Sequence, residues 1–86
     1  VGSYRLRIKA SAAKELESVP KADRRRVVAR IRALASDPRP RGVEKLSGKE
    51  QYRLRQGVYR TLYEIVDRDL IVTVVKIGHR RDVYRD

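Results

Sequence analysis

Val58-Tyr59-Arg60-Thr61-Leu62-Tyr63-Glu64-Ile65-Val66, then Asp67-Arg68-Asp69, then Leu70-Ile71-Val72-Thr73-Val74-Val75-Lys76-Ile77, carries the architecture of this chain. Two runs rich in β-branched and aromatic residues flank a polar link of hairpin length, a pattern that predicts paired antiparallel strands. Side chains alternate between faces along a strand. Tyr59, Tyr63 and Ile65 therefore share a face suited to the core, and Arg60, Leu62 and Glu64 share the other. The run after the link is so apolar that both of its faces should be at least partly covered.

Moving upstream, Tyr52-Arg53-Leu54-Arg55 reads as a further strand, and Gln56-Gly57 turns it into the next one. Lys45-Leu46-Ser47-Gly48-Lys49 is a turn before that strand, and Asp37-Pro38-Arg39-Pro40-Arg41-Gly42 is a basic loop, because each proline disfavours the helical conformation in its predecessor. From Lys21 to Ser36, Val27, Ile31, Leu34 and Ala35 recur at helical spacing with Val28 beside them, which predicts an amphipathic helix. Pro20 suits its start, since the first helical N–H has no partner inside the helix. Ala12 to Glu17, with Ser11 as cap or first-turn residue, forms a shorter helix. Tyr4-Arg5-Leu6-Arg7-Ile8 alternates as a strand with Tyr4, Leu6 and Ile8 inward. The order β-α-α-β-β-β predicts an α+β fold over residues 1–86, one domain, with an antiparallel sheet and two N-terminal helices packed on one face. Val1-Gly2-Ser3 reads as a cloning remnant.

The chain has 86 residues, of which 41% are hydrophobic and 38% charged, against typical shares of roughly 45–50% and about 25%. Apolar surface is scarce, so a thin core and a stabilising partner are expected. The net charge of +11 favours a polyanion or an acidic protein as that partner. There is no cysteine and only one histidine, so thiolate chemistry is excluded and no metal site or cofactor is expected. No apolar stretch reaches the roughly 20 residues needed to span a bilayer, and a cytoplasmic location is expected.

On alternate positions, Arg53 and Arg55 share one face, and pairing with the next strand can bring Arg60 to them. Guanidinium groups stay protonated and grip phosphate oxygens bidentately, a property suited to stabilising charge in phosphoryl chemistry. Gly78 permits a sharp exit that would turn His79 and Arg80 back toward Arg60. His79 is a titratable group near neutrality, and Tyr84 can stack on a base. Arg24 and Arg25 on the long helix, with Lys45, Lys49 and Arg81, are the cations expected to contact RNA or the ribosome.

Taken in order, Lys45-Leu46-Ser47-Gly48, Tyr52-Arg53-Leu54-Arg55, Tyr59-Arg60-Thr61-Leu62-Tyr63-Glu64-Ile65 and Gly78-His79-Arg80-Arg81-Asp82-Val83-Tyr84 resemble the RelE group of the RelE/ParE toxin superfamily over nearly the whole chain. The resemblance implies a microbial-ribonuclease-like toxin of a type II toxin–antitoxin pair, a metal-independent endoribonuclease that cuts mRNA in the ribosomal A site by attack of a 2′-hydroxyl on the adjacent phosphate. It implies an acidic, RelB-like antitoxin in a hetero-oligomeric complex. It also implies phosphate-handling roles for Arg53, Arg55, Arg60 and Arg80 and base stacking for Tyr84. Where relatives have lysines this chain has Arg53 and Arg55, and a guanidinium is a poor general base, so His79 is expected to share the acid–base work. Two alternatives stand beside it: a ParE-like gyrase-inhibiting toxin, and a non-catalytic RNA-binding or repressor-complex module.

Overall fold

The computed structural model describes residues 3–46 and 50–83, with side chains through Arg81. Strand β1 (Arg5–Ile8) leads into helices α1 (Ala10–Glu17) and α2 (Lys21–Ala33). Then follow β2 (Glu44–Lys45), β3 (Gln51–Gln56), β4 (Tyr59–Val66), β5 (Ile71–His79) and the short α3 (Arg80–Val83). The sheet runs β1-β5-β4-β3-β2. Its β3-β4-β5 meander is antiparallel as expected, and β1 pairs in parallel with β5, which makes the sheet mixed. The segment read as a turn before β3 begins with a two-residue strand, β2, in which Glu44 faces Arg53 and Lys45 faces Tyr52.

Helix α2 ends at Ala33, three residues short of the periodicity, because the chain tightens there. Leu34, Ala35 and Ser36 donate to carbonyls three residues back, and Tyr4 N–H takes the carbonyl of Ala35. Leu34 is fully buried all the same. The core lies between the helices and one sheet face, with Ala12, Val27, Ile31 and Leu34 against Tyr52, Leu54, Tyr63, Ile65, Val72, Val74 and Ile77. Tyr63 stacks on Tyr52 with centroids 5.7 Å apart and donates its hydroxyl to the carbonyl of Pro38 at 2.7 Å.

Two inward assignments are only partly met. Leu6 and Ile8 point to the helix side, in register with Val72 and Val74, yet remain 36% and 43% exposed. The reason is position: β1 is an edge strand, and these side chains line an open groove with Leu16, Val28 and Ile31. The proline loop is held by Arg39, whose guanidinium forks onto Asp67 at 3.1 and 2.7 Å and donates to the Tyr52 hydroxyl at 3.0 Å.

The β4–β5 register shifts by one residue. Tyr63 pairs with Val74 and Leu62 with Lys76, leaving Val75 as a bulge. Below the bulge Val72 and Val74 face the helices, and above it the core position passes to Ile77. The bulge also determines which face each residue near the end of β5 presents.

Candidate active site

The sheet face away from the helices collects the arginines. Cross-strand pairs share a face, and Arg55 stands directly opposite Arg60, itself opposite Gly78. One row along, Glu44, Arg53, Leu62 and Lys76 form a line across β2, β3, β4 and β5. The expected meeting of Arg53, Arg55 and Arg60 on this face is therefore present in the pairing register. Like charges directly opposite one another are destabilising, so the Arg55–Arg60 pair is a local cost with no structural return of its own.

Arg60 is only 9% exposed. The turn before it explains how it is held. Gly57 has φ +59°, a left-handed conformation suited to glycine in a two-residue hairpin, and it aims its carbonyl at the guanidinium. Arg60 Nη1 donates to Gly57 and Tyr59 carbonyls, both at 3.0 Å. Its Nε is buried without a hydrogen-bond partner, and no carboxylate pairs with this arginine among the described residues. Buried cations are ordinarily paired, so this one is an unfilled anion seat.

Arg53 and Arg55 are differently placed. Glu44 bridges them, Oε2 to Arg53 Nη2 at 2.6 Å and Oε1 to Arg55 Nη2 at 2.5 Å. The hydrogen bond from Arg53, reinforced by both cations and opposed in part by desolvation, holds the Glu44 carboxyl below the usual carboxylate range. Glu44 was not among the expected site residues, because a strand of two residues leaves no periodicity to read.

The remaining expected residues divide. His79 does not turn toward Arg60. Strand β5 runs straight through Gly78, and the bulge at Val75 puts His79 opposite Tyr59 on the helix-side face, rings edge to face at 6.0 Å. Its Nδ1 accepts from Arg81 N–H at 3.2 Å, which leaves Nε2 as the protonated nitrogen of a neutral ring. His79 lines a cleft with Glu15, Ser18, Val19 and Tyr59, where Glu15 takes the otherwise free N–H of Ile77 at 3.1 Å. Arg80 is exposed, and its N–H donates to the Val58 carbonyl at 2.7 Å, which ties the start of α3 to the same hairpin that holds Arg60.

Of the RNA-contact cations, Arg24 is engaged by its own fold: its guanidinium donates to the carbonyls of Val19 and Glu17 at 3.1–3.2 Å and closes the end of α1. Arg25 is exposed on α2, across the sheet from the arginine face, and Lys45 pairs with Glu50 at 3.3 Å. Arg81 is exposed on α3. Lys49 and Tyr84 lie outside the described residues. Among the described residues no group of histidines and carboxylates could hold a metal, and no helix is long and apolar enough to cross a membrane.

Residues 6–84 match the family model described as ParE toxin of type II toxin–antitoxin system, parDE. A putative RelE-like toxin protein of Escherichia coli is 27% identical over 85 residues, spanning 94% of this chain and 90% of that protein. Among solved structures, the archaeal RelE–RelB complex from Pyrococcus horikoshii contains a chain that is 30% identical, with TM-score 0.79 over 93% of this chain and 98% of that one. The toxin–antitoxin complex RelBE2 from Mycobacterium tuberculosis contains one that is 27% identical, with TM-score 0.80 over 91% and 99%.

Proposed function

This chain belongs to the ParE toxin family of type II toxin–antitoxin systems, with the fold of the RelE toxins, and from that premise we propose that it is a ribosome-dependent mRNA endonuclease. The observation that carries the reading is Arg60: a buried guanidinium with no carboxylate partner, facing Arg55 across a strand pair. A backbone phosphate entering between β3 and β4 would supply the missing counter-charge. It would also remove the like-charge repulsion in one step.

The chemistry follows from that seat. The ribose 2′-hydroxyl attacks the adjacent phosphorus, and negative charge builds on the equatorial oxygens as the 5′-oxygen departs. Arg60, fixed by two turn carbonyls, stabilises that charge without reorganising. Arg53 and Arg55 orient the phosphate, and Arg80, tied to the same hairpin, adds a further cation as the resemblance implies. Tyr84 is assigned the stacking role on resemblance alone. His79, on the other face, is better placed to meet a neighbouring nucleotide at the end of β5 than the scissile phosphate. Arg25, Lys45, Lys49 and Arg81 are assigned to ribosome or RNA phosphates. The relatives solved as toxin–antitoxin complexes support an acidic antitoxin as the partner that silences this basic chain.

A gyrase-inhibiting role is the second reading, favoured by the family model itself, which describes ParE toxins. Primer extension on a defined mRNA separates the two. Wild-type protein with programmed ribosomes is expected to produce a cut in the A-site codon, absent without ribosomes and absent with Arg60→Ala. No cut from folded wild-type protein, together with inhibited supercoiling by purified gyrase, would replace the first reading with the second.

A further inference from the structure

The arginine face lacks an obvious base. A guanidinium holds its proton at any accessible pH, and the one histidine stands on the opposite side of the sheet. Among the described residues, Glu44 is the carboxylate that touches the arginine pair, gripping both Arg53 and Arg55. Resting on the ribonuclease reading, we infer that Glu44 is the general base that takes the proton of the attacking 2′-hydroxyl.

Three features of its setting carry this assignment. First, reach: β2 and β4 lie two strand spacings apart, about 10 Å, with Arg55 between Glu44 and Arg60. A phosphate held by Arg55 and Arg60 brings its neighbouring ribose to the Glu44 side of the seat. Second, capacity: each Glu44 oxygen accepts one arginine bond and keeps a second lone pair for a hydroxyl. Third, access: the side chain is 42% exposed, whereas Arg53 is 17% exposed, so the carboxylate is open from the solvent side while its anchor is covered. The arginines also keep Glu44 ionised, the state in which it can act.

The step balances within the substrate and the carboxylate. The O2′–H proton passes to a Glu44 oxygen as O2′ bonds to phosphorus. The bond from phosphorus to the 5′-oxygen breaks, and that oxygen leaves with a proton from water. The products are a 2′,3′-cyclic phosphate and a 5′-hydroxyl, with no change of oxidation state. When phosphate engages the two arginines, Glu44 loses part of their positive field beside a developing anion and becomes a stronger base as it is needed.

The test is single-turnover cleavage of mRNA on programmed ribosomes by wild type, Glu44→Gln, Glu44→Asp and Glu44→Ala, with ribosome pelleting and thermal melts beside it. Glu44→Gln is expected to slow cleavage by about 10²–10⁴-fold, the usual worth of a positioned base, while pelleting with ribosomes as wild type does. Glu44→Asp is expected to retain part of the rate. Formate added to Glu44→Ala is expected to restore cleavage in proportion to its concentration, which loss of a merely structural contact would not allow. Glu44→Gln cutting at the wild-type rate or faster would overturn the assignment, since the carboxylate would then be no more than a competitor for the arginines. So would an Ala variant that pellets normally and ignores formate. A wild type that never cuts fails the ribonuclease reading itself, which separates that failure from a failure of Glu44.

Discussion

Asp67 shows how much one side chain can gather in so small a chain. It accepts both arms of Arg39 and, at 2.6 Å, the hydroxyl of Tyr4, so the first strand, the proline loop and the β4–β5 connection meet on one carboxylate. The bond from Arg39 foremost, then that from Tyr4, brings its pKa from 3.8 to about 2. A carboxyl depressed on folding contributes stability that is complete above its unfolded value and is lost as pH falls through the folded one. Asp67→Asn should therefore lower the melting temperature at pH 7, and the gap to wild type should close between about pH 4 and pH 2 in melts followed by circular dichroism. A constant gap across that range would remove the clasp as its origin. Arg60 is the opposite kind of residue, a buried charge given only turn carbonyls. Its identity as a phosphate-handling arginine was readable from its place in the Tyr59–Ile65 motif. Its burial was not, because nothing in a sequence states which carbonyls a turn will aim inward.

Among the elements, the connection between β4 and β5 carries a conformational cost. Asp67–Asp69 forms a 3-10 turn, and Leu70 after it is left-handed at φ +54°. Its N–H bonds to the Asp67 carbonyl and its carbonyl receives Arg5 N–H at 2.7 Å, so the backbone is pinned there. A branched residue in that region costs on the order of 1 kcal/mol relative to one that tolerates it. Leu70 is 42% exposed, so little packing is lost by changing it. Leu70→Asn is expected to stabilise the domain by about 0.5–1 kcal/mol, measured by urea unfolding with an unchanged m value. A loss of stability would mean that the exposed leucine packs more than its exposure indicates. The link itself was legible as a polar triplet between two apolar runs. The left-handed residue was not, since leucine is the wrong residue to announce one.

For the molecule as a whole, thin apolar content and a net charge of +11 set the terms. Twelve buried hydrophobic residues make up the described core, and Leu34 closes it where α2 ends. Leu34→Ala is expected to cost about 2–5 kcal/mol, comparable to the total stability of a small domain. Alone, that variant should be largely unfolded by circular dichroism, and saturating antitoxin should refold it, since a partner that binds only the folded state adds its binding free energy to stability. Failure of excess antitoxin to recover the structure would mean that the partner does not bind the face this core supports.

Local and nearest-neighbour physics was sufficient for much of this protein. Alternation and β-branched content specified the three-strand meander, helical spacing specified α2, and shared parity placed Arg53, Arg55 and Arg60 on one face. These are properties of segments, and a segment carries its own periodicity wherever it lies. What needed the folded chain were the relations between segments: β1 entering parallel beside β5, the two-residue β2 that delivers Glu44 to the arginines, and the bulge at Val75. The bulge is the sharpest instance. One unpaired residue moves Ile77 into the core, keeps Lys76 with Leu62, and carries His79 to the side away from Arg60. A strand's parity is fixed within its own sequence, but its phase against a neighbour is set by which apolar side chains the helices can cover, and that is a property of the packed whole.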